Sequence, residues 1–296
     1  MSVGFKEFVG PYRMFHLIRA GAIFEIWAVR PVAETTPYAM KWLPPGSRYD
    51  RANIANLKHE YEIGKTLDHP SVIKTYDFGY GKDGAYLVME LFKTPNLKQQ
   101  LVDDIAMLHW RLDKVLVECA AALDYLHEQG YVHRDIKPDN FLVNDENHVR
   151  LIDFNLTRKI KKGLGKLLSN RMPVQGTYSY MAPEQIRGLA VDERADVYSF
   201  GCMCYELIAG KMPFTATSPS ELLNKHLKTK PQHISVANKN VHADFADLVT
   251  RMLAKDPKDR PDSLKDFIRV LKAGRIFQIK PRKPLPKAER EAAAED

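Results

Sequence analysis

Cysteine is nearly absent. Cys119, Cys202 and Cys204 are the whole supply in 296 residues. A sparse, odd number excludes a disulfide framework, and Cys202-Met203-Cys204 stands too isolated for a zinc site. All three lie in apolar helical patterns and are expected in the core. Long hydrophobic runs are also missing: none approaches the ~20 residues that span a bilayer, so no membrane segment is expected. Residues 1–10 lack the basic start and apolar core of a secretory signal. A cytoplasmic protein is the simplest expectation. Internal repeats are absent. Basic residues interleaved with aromatics are absent too, although the net charge is +7. The excess sits in residues 158–171, with Lys159, Lys161, Lys162 and Lys166, and in residues 280–287. Neither stretch offers rings on which bases could stack, so no nucleic-acid partner is expected. The first stretch reads as a solvated loop, or one that attracts a phosphate or an acidic partner protein.

What is present suits a globular chain. Hydrophobic residues make up 45%, enough for a sizeable core, and the charged share of 27% is ordinary. The length allows one large domain or two small ones. Residues 12–19, 25–30, 38–43, 73–80 and 85–91 are short apolar or alternating runs, separated by turn signals such as Lys82-Asp83-Gly84. One helical pattern, residues 53–67, interrupts them before Pro70. After Pro95 the period becomes helical. Residues 110–129 carry Leu112, Val115, Leu116, Cys119, Leu123 and Leu126 on one face, and Gly130 ends the run. Residues 195–209 are apolar nearly all round, which predicts a buried helix. Residues 245–254 and 264–271 are further amphipathic helices. The pattern predicts an α+β chain: a small strand-rich lobe with one helix (12–89), a connector (90–96), and a larger, mainly helical lobe (97–271). A basic, Pro-containing tail (272–296) is expected to be a flexible linker.

The chemistry is concentrated in a few segments. Tyr131-Val132-His133-Arg134-Asp135-Ile136-Lys137-Pro138-Asp139-Asn140 is the densest. Asp153-Phe154 follows thirteen residues after Asn140, and Ala182-Pro183-Glu184 comes later. Taken singly, each has a bland explanation. A lone strand lysine such as Lys41 is usually a surface residue, and an aspartate before phenylalanine means nothing. In order and at this spacing, they resemble the protein kinase family over roughly residues 15–271.

That resemblance implies a bilobal kinase fold, ATP as substrate and Mg²⁺ (or Mn²⁺) as the metal. Phosphoryl transfer is mostly positioning and charge neutralisation, and Mg²⁺ prefers hard oxygen ligands. Asp153 and Asn140 would supply these. Asp135 would accept the hydrogen bond of the substrate hydroxyl, and Lys137 would hold the transferring phosphate. A lysine two residues after the catalytic aspartate is the serine/threonine pattern. Thr177, in Gly176-Thr177-Tyr178-Ser179-Tyr180, would bridge Asp135 and Lys137. Tyr38-Ala39-Met40-Lys41 matches the strand of the ATP lysine, with Ala39 covering the adenine and Lys41 reaching the phosphates. Glu60 has the spacing of the glutamate that pairs with this lysine. Its rival Glu62 would point about 200° away on a helix. Met89 would stand behind the adenine, Glu90 and Phe92 would offer backbone hydrogen bonds to it, and Leu142 and Ile26 would sandwich it. Asp196 would cap the catalytic-loop amides, and Glu184 would pair with Arg260. His133 and Phe154 would be packing residues.

The sequence also departs from the family. In the glycine-rich loop only Gly21 remains, with Arg19 and Phe24 in place of the flanking glycines, which should weaken the phosphate clamp. Asn155 replaces the glycine after Asp153-Phe154. Asparagine tolerates positive φ best among non-glycine residues, so that turn is expected to survive there. Gly64 and Thr75 stand where bulky packing is usual, and Gly64 should weaken its helix by ~1 kcal/mol. Pro173 occupies the usual phospho-acceptor place before Gly176. Activation independent of phosphorylation at that spot is therefore expected, with Ser169 and Thr157 as remaining acceptors. An active serine/threonine protein kinase is the leading reading. A pseudokinase acting as a nucleotide-binding or scaffolding module is the alternative, and a kinase-fold small-molecule phosphotransferase is the third.

Overall fold

The computed structural model describes residues 7–45, 51–160, 175–287 and 289–290. They form two compact units. One takes the chain up to Lys93 together with Ile152–Asn155; the other takes Thr94–Leu151 and the chain from Leu156 on.

The first unit is an antiparallel sheet with one helix. Its strands are β1 (Phe8–Val9), β2 (Tyr12–Ala20), β3 (Glu25–Pro31), β4 (Tyr38–Leu43), β5 (Thr75–Gly81) and β6 (Gly84–Glu90), in the order β1-β2-β3-β4-β6-β5. Alternation along β4 assigns its two faces. Met40 and Trp42 join Val9, Met14, Val29 and Val88 in one apolar cluster. On the other face, Leu43 and Leu87 meet Leu57 of helix α1 (Arg51–Gly64). This helix stops three residues short of the expected end.

Gly64, its last residue, has a packing reason that the sequence did not reveal. A Cβ there would lie 2.3 Å from the Thr75 hydroxyl. The pair fits closely, and the simple helix-weakening argument does not apply at a helix terminus pressed against a strand.

The second unit is mainly helical. Helix α2 (Leu97–Asp103) starts with a reciprocal cap: Asn96 Oδ1 accepts from the Gln99 amide at 2.8 Å, and the Asn96 amide donates to Gln99 Oε1 at 2.9 Å. Helix α3 (Ile105–Glu128) buries Leu112, Val115, Leu116, Cys119 and Leu123. The helix Glu193–Ala209 is buried along almost its whole length, as its all-round apolar pattern requires, and Gly210 ends it at φ 68°. All three cysteines are buried. Short antiparallel pairs, Phe141–Val143 with Val149–Leu151 and Tyr131–Val132 with Arg158–Lys159, frame the segment 133–140.

The tail departs from the flexible linker that its composition suggested. Ile276 and Phe277 are buried, and Phe277 bridges to Val241. Beyond them Lys280 approaches Asp113 at 3.4 Å, Lys283 lies 5.1 Å from the Trp110 ring, Lys287 meets Asp103 at 3.0 Å and Arg290 pairs with Asp104. Composition alone could not reveal this, because the acidic partners come from distant α2 and α3 and from Asp104 between them. Among the described residues no helix is long and apolar enough to cross a membrane.

Candidate active site

In the first unit, strand register gathers the expected nucleotide residues. Ile26 pairs with Lys41, and Ala39 with Met89. Directly opposed residues share a face, so Ile26, Ala39, Lys41 and Met89 line one side of the sheet. Glu90 ends β6 and Phe92 follows it. Lys41 Nζ lies 2.7 Å from Glu60 Oε2 and 3.2 Å from Asp153 Oδ1. Glu62 instead pairs with Lys65 near the surface, so the helical-phase argument selected the correct glutamate.

Burial disfavours the Lys41 charge, but the two carboxylates outweigh it and hold the ammonium well above its ordinary range. Burial likewise pushes Glu60 up to about 7, against the pull of Lys41 and a hydrogen bond from the Phe154 amide. Phe154 itself is buried. The left-handed residue of this segment is Asp153, at φ 71°, and Asn155 is not at positive φ. The expectation for Asn155 is thereby corrected: the strained position falls on the aspartate, which also tolerates it. That frees the residue after Phe154 from needing glycine.

The glycine-rich segment forms a tight hairpin. Ala20 pairs with Glu25, and the Gly21 amide donates to the Phe24 carbonyl at 2.9 Å. A Cβ at Gly21 would stand 2.7 Å from that carbonyl oxygen, which explains why this glycine is present. Ile23 and Phe24 tuck against the Leu43, Leu57 and Leu87 cluster. The Phe24 ring centroid lies 5.2 Å from Lys41 Nζ, a contact with no sequence signal beyond the bulky residue in place of glycine.

In the second unit, Asp135 is held on every side. Its Oδ1 accepts from the Thr177 amide and hydroxyl, both at 2.9 Å, and its Oδ2 accepts from Lys137 Nζ at 2.6 Å. Lys137 also donates to the Thr177 hydroxyl at 2.8 Å, closing a triangle. Asn140 Nδ2 donates to the Asp135 carbonyl at 2.8 Å, so its amide oxygen is the end left for a cation. Leu142 sits in the Phe141–Val143 strand and bridges to Asn96.

Buried charges support this loop. Asp196 accepts from the amides of His133 and Arg134 at 2.7 and 2.8 Å, and contacts His127 Nε2 at 2.9 Å. Burial alone would raise its pKa, but these hydrogen bonds and the nearby imidazoles hold it below the ordinary range. Arg134 takes φ 72° there. Arg260 forks onto both Glu184 oxygens at 2.7 and 2.9 Å. Sequence reading missed two partners: His127, and Glu206 with its neighbours Lys98 and Tyr180. A lone glutamate inside an otherwise buried helix was the available signal for Glu206. Thr157, expected as a possible phospho-acceptor, is fully buried. Ser169, Pro173, Lys161, Lys162 and Lys166 lie outside the described residues.

A strand lysine clamped by a helix glutamate, in a unit separate from an aspartate–lysine–threonine triangle, is the arrangement of a protein kinase. Residues 12–269 match the family model of the protein kinase domain, and the chain belongs to that family. It is similar to serine/threonine-protein kinase PknB of Mycobacterium tuberculosis, with 31% identity over 253 residues, covering 84% of this chain and 40% of that protein. Probable serine/threonine-protein kinase SCO3848 of Streptomyces coelicolor is 30% identical over 265 residues, covering 88% and 39%. Serine/threonine-protein kinase pkn3 of Myxococcus xanthus is 31% identical over 281 residues, covering 90% and 51%. The chain thus spans between 39% and 51% of the length of these relatives.

Proposed function

We propose that this chain is a serine/threonine protein kinase that transfers the γ-phosphoryl group of ATP to a protein hydroxyl. The observation carrying this reading is the Asp135–Lys137–Thr177 triangle. A carboxylate fixed by three donors is preorganised to accept the hydrogen bond of a serine or threonine hydroxyl, and so to orient its oxygen for attack on the γ-phosphorus. Lys137 brings a positive charge to the oxygens of the transferring group. Lys41, itself fixed by Glu60 and Asp153, would hold the nucleotide's other phosphates. Ile26, Ala39, Met89 and Leu142 would contact the base, with backbone groups of Glu90 and Phe92. Asp153 and Asn140 offer the hard oxygens that Mg²⁺ or Mn²⁺ requires; once bound, that ion would neutralise phosphate charge.

Pro173 removes the usual acceptor, which supports activity without phosphorylation at that place. The tucked Phe24 favours a second reading, a pseudokinase that binds nucleotide weakly or not at all. Incubation with radiolabelled ATP and Mg²⁺ or Mn²⁺ separates the two. The kinase reading expects labelled protein, reduced on the order of 10²- to 10⁴-fold by Asp135→Asn and lost with Lys41→Met. Nucleotide-induced thermal stabilisation without any label would contradict it and support the second. Label on a small metabolite alone would point to a small-molecule phosphotransferase.

A further inference from the structure

Lys41 has a third neighbour that the proposed reaction does not use. An ammonium group has three N–H donors. Two partners are the carboxylates of Glu60 and Asp153, at 2.7 and 3.2 Å. The other is the face of Phe24, 5.2 Å from Nζ, within the range of a cation–π contact. Three features hold the ring in place. The Gly21 amide closes the turn onto the Phe24 carbonyl. The β2–β3 register runs unbroken from Arg19–Ile26 to Ala20–Glu25, leaving only four residues in the loop. Ile23 and Phe24 also bury apolar surface against Leu43, Leu57 and Leu87. Glycine at position 24 would give the ammonium no such neighbour.

We propose that Phe24 is a positioning residue that competes with nucleotide phosphates for the Lys41 ammonium, so that phosphate binding requires the hairpin tip to release the lysine. This inference rests on Lys41 being the phosphate-binding residue. It explains how a degraded glycine-rich loop sets nucleotide affinity: the self-contact lowers affinity for phosphates and leaves recognition of the base alone. The side chain of Lys41 is 13% exposed, so the contact lies between the exposed and the desolvated limits of its class. Releasing it should strengthen phosphate binding about two- to fivefold.

The test is calorimetric titration of the whole chain, and of Phe24→Leu, Phe24→Tyr and Lys41→Met, with ATP, ADP and adenosine. Leucine keeps the apolar anchor and removes the π face. The Leu variant should bind ATP and ADP about two- to fivefold more tightly, with adenosine unchanged. The Tyr variant, which restores the ring, should match the natural chain. In steady state the KM for ATP should fall in the Leu variant while kcat at saturation holds. Equal or weaker ATP binding by the Leu variant overturns the proposal, as does an equal gain for adenosine. If Lys41→Met loses ATP binding while Phe24→Leu changes nothing, the competition alone is wrong. If Lys41→Met binds ATP as the natural chain does, the reading of Lys41 is wrong and the proposal falls with it.

Discussion

Two residues carry the clearest chemistry outside the transfer itself. Glu60 must be ionised to clamp Lys41, yet burial raises it to about 7. A carboxyl raised in this way favours folding in its neutral form. That contribution is complete below its ordinary range and is lost as pH rises through about 7. Activity runs the other way, because the clamp needs the charge. The account predicts an acid limb near pH 7 in the kcat/KM profile for ATP, and loss of that limb in Glu60→Gln together with a lower plateau. An unshifted limb in the variant would reassign it. Gly64 gives a second residue-level expectation. Helix propensity alone says that Gly64→Ala stabilises, whereas the 2.3 Å approach to Thr75 says that it overpacks. Urea denaturation should show a loss of about 1–3 kcal/mol, and a gain would refute the packing argument. Sequence reading anticipated the Lys41–Glu60 pair and the Asp135–Lys137–Thr177 contacts because the motifs that carry these residues jointly resemble the kinase family. It missed the Gly64–Thr75 fit because that depends on the distance between two backbones, which neither residue encodes.

Among the elements, β4 was legible to the residue because its two aromatics, Tyr38 and Trp42, and the Pro-Pro that follows it agree. Helix ends were less so: α1 stops at Gly64 instead of running on to residue 67, where no periodic signal breaks. Helix α2 went unread, although the Asn96–Gln99 box marks its start, because the run of seven residues is too short for periodicity to show. The helix Glu193–Ala209 is the element on which the catalytic loop depends. Its buried Asp196 organises the His133 and Arg134 amides and holds Arg134 at positive φ. Asp196→Asn keeps the shape and removes the charge that faces two amides and His127. Breaking a buried charged network of this kind typically costs about 3–5 kcal/mol. A Tm lowered by several degrees, with transfer activity reduced further than stability alone explains, is expected from calorimetry and assay. An unchanged Tm would mean that the loop is held by its neighbours instead. The tail shows the converse lesson. A Pro-Lys composition suggests a linker, but Ile276 and Phe277 bury apolar surface that composition averages away. The surface ion pairs after them add little each.

For the whole molecule, the α+β division into a sheet unit and a helical unit was readable from the change of hydrophobic period near Pro95. Family membership was readable from motif order. The return of Ile152–Asn155 to the sheet unit was not, because sequence separation hides it. That return is what brings Asp153 to Lys41. The match spans 40% of the Mycobacterium tuberculosis relative and 51% of the Myxococcus xanthus one. The account as a whole stands on Asp135 orienting a hydroxyl for attack on ATP. The most direct measurement is phosphoamino-acid analysis of a protein substrate labelled from γ-radiolabelled ATP by the natural chain and by Asp135→Asn. Phosphoserine or phosphothreonine with the natural chain, and almost none with the variant, is the predicted result. Equal labelling by both proteins, or label confined to tyrosine, would contradict it.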